Sequence, residues 1–148
     1  NNKPSYVVST NSGKTWQQHK RPKLNSEWMD DNSYIINNRL FVTTYLWNGD
    51  SPGLLSIDTT QKNPVWKNHS STFIPLTKEK DNSDIMYFLE TINNIYIESK
   101  NIVIKTTYLH VKDSDDLATN CVRTDVLWTS SDNGKSWTMA GSDFKPYE

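Results

Sequence analysis

Apolar residues in this chain come in short runs broken by turn-forming polar residues, and no run keeps the period of a long amphipathic helix. Residues 6–9 and 14–19 read as the arms of a hairpin. Residues 34–36 and 40–45 flank Asn37 and Asn38, which tolerate positive φ and predict a tight turn. After the loop signal at 48–53, residues 54–58 and 65–68 read as two more strands. The run 85–89 lacks clean alternation and fits a buried strand or a short helix. Residues 92–98 and 102–111 flank a turn at 99–101, and in the second of these Ile102, Ile104, Thr106 and Tyr108 alternate with Val103, Lys105, Thr107 and Leu109. Residues 125–130 and 135–139 predict a last hairpin. The polar stretch 20–32 reads as a connecting loop carrying Trp28 and Met29, 78–84 and 112–120 as inserted material, and 140–148 as a polar tail. Ten to twelve short strands in 148 residues make an all-β chain, read as one domain over 1–148.

A short pattern recurs within this frame. Ser130-Ser131-Asp132-Asn133-Gly134-Lys135-Ser136-Trp137 near one end matches Ser9-Thr10-Asn11-Ser12-Gly13-Lys14-Thr15-Trp16 near the other, with Asn11 in the place of Asp132. The physics is local: serine and Asp/Asn side chains accept hydrogen bonds from turn N–H groups, glycine supplies the left-handed backbone, and the tryptophan opens the return strand and packs beneath it. A degenerate third copy is read at Ser56-Ile57-Asp58 and Trp66, with the glycine lost and three residues inserted. The serines then lie 47 and 74 residues apart, one blade-like repeat and one repeat with insertions.

The pattern resembles the Asp-box, or bacterial neuraminidase repeat, of sialidases, sortilin-type receptors and many non-catalytic β-propellers. The resemblance implies antiparallel Asp-box hairpins in two to three propeller-blade-like sheets, a partial or small β-propeller-like domain. Its structural residues are Ser9, Asn11, Gly13, Trp16, Ser56, Asp58, Trp66, Ser130, Asp132, Gly134 and Trp137. Sialidase catalysis would call for an arginine triad; the chain has Arg21, Arg39 and Arg123, read as separate surface or turn residues. The resemblance therefore points to the non-catalytic branch, and fold alone does not carry activity.

Composition narrows the partners. The net charge is −1 and no basic stripe runs along the chain, which argues against nucleic acid. No apolar stretch is long enough to span a membrane as a helix. Cys121 is the sole cysteine, so an intrachain disulfide is excluded. The start without methionine predicts a processed, exported protein, periplasmic or extracellular.

Candidate chemistry is sparse. His19 and His69 each follow a motif tryptophan by three residues and are expected to face solvent. No Ser-His-Asp or Cys-His spacing points to a nucleophile, so no catalytic residue is assigned. Asp113, Asp115 and Asp116 form an acidic loop, read as solvated, with calcium as the cofactor it would take if any and no other metal assigned. Trp28 and Trp47 sit in polar loops and are candidate anchors for a protein or sugar. Together with Asp113, Asp115, Asp116, Glu79, Asp81 and Asp84 they make the predicted binding set.

These readings lead to a non-enzymatic protein-binding β domain. Its sharpest form is an exported bacterial immunity or inhibitor protein that blocks a toxin or effector. The alternative is a carbohydrate-binding or sialidase-related fragment of a larger propeller. A structural role in a larger assembly would bring homo-oligomers.

Overall fold

Asn37 and Asn38 take φ of 49° and 60°, and Ser99 and Lys100 take 48° and 76°. Two consecutive left-handed residues close a tight antiparallel hairpin whose twist matches its strands. The computed structural model describes residues 5–20, 28–46, 52–80, 83–111, 121–141 and 143–147. Among these the chain forms twelve strands and one turn of 3₁₀ helix at Ser70–Thr72.

Strands β1 (Ser5–Val8) and β2 (Gln17–Lys20) form a two-stranded sheet. β3 (Trp28–Ile36), β4 (Arg39–Leu46), β5 (Gly53–Asp58) and β6 (Lys67–Asn68) form a four-stranded meander in that order. β7 (Leu76–Lys80), β8 (Ser83–Glu98), β9 (Asn101–Val111), β10 (Cys121–Ser130), β11 (Thr138–Ala140) and β12 (Lys145–Pro146) form the third sheet, in the order β11-β10-β9-β8-β7-β12. All strand pairs are antiparallel. The sheet β3–β6 and the run β8–β11 within the six-stranded sheet each go up and down in a blade-like way, and the described chain is all-β and propeller-like.

The two central strands of the four-stranded sheet, β4 and β5, are buried on both faces. On β4, Leu40 and Val42 join Leu55 and Ile57 of β5 and Val8 of β1 in one apolar cluster. Phe41, between them, points the other way and joins Leu54, Ile104, Val126 and Trp128 in the larger cluster against the third sheet. This is the period-two geometry of a strand. It explains why 40–42 reads as an unbroken apolar run, as strands covered on both sides do.

Several segments differ from their sequence reading. Residues 85–89 and 92–98 belong to one bent strand, β8, whose first part pairs with β7 and whose second part pairs with β9. Register shifts between Leu89 and Thr91 and between Ile92 and Asn94 put Leu89, Ile92 and Ile95 on the buried side at a spacing of three. Extra residues of this kind erase the alternation that marks a strand. The polar stretch 78–84 is not simply inserted loop, because β7 and β8 occupy most of it. The connecting stretch 20–32 includes the start of β3 at Trp28. The polar tail carries β12, with Pro146 on the sheet edge, where a missing N–H is tolerated. Phe144 packs edge-on against Tyr87 at 4.9 Å, and the Tyr147 N–H donates to the Pro75 carbonyl at 3.0 Å.

Candidate functional site

The two complete motifs are self-contained turns. In the first, Ser9 Oγ accepts from the Gly13 N–H at 2.7 Å, and Asn11 Oδ1 accepts from the Thr15 N–H at 2.9 Å. In the second, Ser130 Oγ accepts from the Gly134 N–H at 2.8 Å, and Asp132 Oδ1 accepts from the N–H groups of Lys135 and Ser136 at 3.0 and 2.9 Å. The Ser136 hydroxyl adds a 2.6 Å bond to Asp132 Oδ2. Gly13 and Gly134 take φ of 83° and 77°, the left-handed conformation in which a side chain is strained. Hydrogen bonds from Ser136, then from Ser130 and Lys135, hold the Asp132 carboxyl well below the usual carboxylate range.

The motif tryptophans part ways. Trp137 is buried and meets Phe41 and His69 edge-on, each at 6.1 Å between ring centres. Trp66 is half-buried, packs on Tyr6 at 5.7 Å, and donates from Nε1 to the Lys20 carbonyl at 2.8 Å. Trp16, expected in the core, is 62% exposed. Its turn is at the end of a sheet of only two strands, whereas Trp137 lies against the four-stranded sheet.

The third copy does not close as the other two do. Ser56 Oγ lies 2.8 Å from His69 Nε2 and accepts from Arg39 Nη1 at 3.3 Å. Asp58 Oδ1 instead accepts from the N–H and hydroxyl of Thr60, at 3.0 and 2.7 Å. Loss of the glycine and the inserted residues remove the tight return that would bring a backbone N–H onto Ser56. His69 and Arg39, expected at the surface, are buried with it. Burial, with Lys67 and Arg39 nearby, lowers the His69 pKa to about 4, so the ring is neutral where Nε2 shares a hydrogen bond with the serine hydroxyl. Arg39 Nη2 reaches Asp58 Oδ2 at 3.8 Å. Although Ser56 and His69 are in nucleophile–base contact, Ser56 is 0% exposed and the C-terminal turn packs over the pair through Trp137. The Ser56 hydroxyl is closed off from solvent in the folded chain.

An open cavity lies elsewhere. A cavity of two adjoining lobes, about 420 and 510 Å³, runs between β2 and the loop that links β5 to β6. Gln18, His19, Lys62 and Pro64 line both lobes, and Trp66 and Ile57 line one. The wall at 62–65 includes the residues inserted in the third copy. His19, expected in solvent, is 6% exposed, and its Nε2 is buried with no hydrogen-bond partner. Lys20 and Lys62 have no carboxylate partner among the described residues. Among the described residues the lining holds amide, cationic, imidazole and indole groups and no carboxylate.

The predicted binding residues are not gathered there. Trp28 is the first residue of β3, and Glu79 of β7 is the register partner of Asp84 of β8. Trp47, Asp81, Asp113, Asp115 and Asp116 lie outside the described residues, and with them the calcium reading. Arg123 is exposed and chelates Glu90 through Nε and Nη2 at 2.7–2.9 Å. Among the described residues no cluster of three His, Cys, Asp or Glu side chains is placed to hold a metal ion, and no helix is long and apolar enough to cross a membrane. The sequence carried one signal for the cavity, the insertion before Trp66, but nothing in it placed β2 alongside.

The chain matches no family model, no curated protein and no solved structure.

Proposed function

We propose that the chain is a non-catalytic β domain that binds another protein, built on Asp-box turns that serve as folding devices. The observation that carries this reading is the open cavity beside β2, walled by the loop in which the third motif departs from the other two. The internal use of the motif side chains and the burial of Ser56 and His69 support a scaffold role rather than a catalytic one. In its sharpest form the domain is an exported bacterial immunity or inhibitor protein, and its partner is a toxin or effector that loses activity when bound. The immobilised chain, exposed to proteins of its own source, is expected to retain one partner. That partner, once purified, should titrate saturably at one-to-one stoichiometry. Retention of no such partner overturns the reading.

A second reading is carbohydrate binding, favoured by Trp66 beside the amides of Gln18 and Asn63 in one lobe. Indole faces and amide groups are the chemistry that holds sugar rings. A panel of immobilised glycans decides it: saturable glycan binding lost in Trp66→Ala supports it, and a flat panel removes it.

A further inference from the structure

We infer that the cavity beside β2 receives an extended acidic segment of the partner, laid along the open edge of that strand. The inference rests on the protein-binding reading above and names the chemistry of the partner's contact. Four consecutive residues of β2, Gln17 to Lys20, line the two lobes. Neighbouring residues of a strand point to opposite faces, so a cavity touched by four in a row follows the strand's edge rather than one of its faces. That edge carries no further strand among the described residues: β2 has β1 on one side, and on β2 itself the Lys20 carbonyl accepts from Trp66 Nε1 at 2.8 Å while Gln17 to His19 have no strand partner beyond β1. Such an edge presents backbone donors and acceptors to any extended chain beside it.

Charge selects the segment. Lys20 and Lys62 stand on the two sides of the cavity with no carboxylate between them among the described residues, in a chain whose net charge is −1. The unpartnered Nε2 of His19 adds unused hydrogen-bonding capacity behind the same wall. Carboxylates of the incoming segment meet the lysines, while its aliphatic side chains meet Trp66 and Val65, the latter 78% exposed. An extended chain separates these two kinds of side chain by simple alternation.

The probe is a capped six-residue peptide alternating valine and glutamate, titrated into the whole chain by calorimetry and followed by amide NMR. Saturable binding is expected, with shifts at Gln17 to Lys20, weakened by salt. The exposed pair Lys20→Glu/Lys62→Glu is expected to lower the affinity about tenfold while leaving the far-ultraviolet spectrum unchanged. No saturable binding overturns the inference. So does equal binding of the valine–lysine peptide, or binding of D-glucuronate with the same shifts when the peptide gives none. If the chain's own partner is retained equally by the double variant, the acidic-segment inference falls and protein binding stands. If the unaltered chain retains no partner, the broader reading falls.

Discussion

Gly134 lies so close to Phe41 that a Cβ built on it would come within 2.5 Å of Phe41 Cζ and 2.8 Å of Cε1. The turn between β10 and β11 is thereby seated on the neighbouring sheet. Gly134→Ala must adopt a φ of 77° and push against a ring that is itself fully buried. The two terms add to a loss of about 3 kcal/mol. At the equivalent Gly13 the nearest atom is Trp16 Cζ2 at 3.7 Å, so Gly13→Ala carries the backbone term alone, about 1 kcal/mol. Urea denaturation of the two variants checks the difference, and equal losses would contradict the packing.

The motif tryptophans should separate in the same way. Trp137→Ala removes a buried ring and is expected to cost about 3–5 kcal/mol. Trp16→Ala, at 62% exposure, should change stability by less than about 0.5 kcal/mol. Thermal melts of both variants read this directly.

Acid should act on the fold in two stages. His69 titrates at about 4 in the folded chain against 6.5 in its ordinary state, so between these values the unfolded chain binds more protons. Stability is therefore fully present above pH 6.5 and declines as pH falls toward 4, by about 3 kcal/mol. Asp132, held below the ordinary aspartate value of 3.8, has the same sign in a lower window: its contribution is lost as pH falls below that value. Denaturation midpoints from pH 8 to 3 should show the upper stage flattened in His69→Gln and the lower stage reduced in Asp132→Asn.

Ser56 tests the sealed pair. A fluorophosphonate that labels activated serines should leave it unmodified in the folded chain, because the residue is 0% exposed. Ser56→Ala should destabilise by about 1–3 kcal/mol by leaving a buried His69 nitrogen unpaired. Mass-spectrometric labelling at Ser56 would reopen a catalytic reading.

Much of this architecture was legible because turns and alternation are local. Asn37 and Asn38, Ser99 and Lys100, and the two glycine turns mark four hairpins where sequence chemistry and backbone geometry agree. What stayed hidden depends on contacts between distant segments. Leu89, Ile92 and Ile95 break the two-residue rhythm because of bulges that exist only against β9. Trp16 and Trp137 occupy the same motif position, and only the presence of a sheet beneath one of them decides which is core. His19 and His69 look polar and exposed in sequence, yet both are buried by distant segments: Trp137 packs on His69, and His19 shares its pocket with Trp66 and the 62–65 loop.

The sheet β3–β6 leans on both of its neighbours, and this ties the ends of the chain together. Detaching β1 and β2 would wet Leu40, Val42, Leu55 and Ile57, and detaching β8–β11 would wet Phe41 and Leu54. Neither loss leaves an intermediate with a closed core. The domain should therefore melt as one cooperative unit rather than blade by blade, unlike a repeat array whose modules open in sequence.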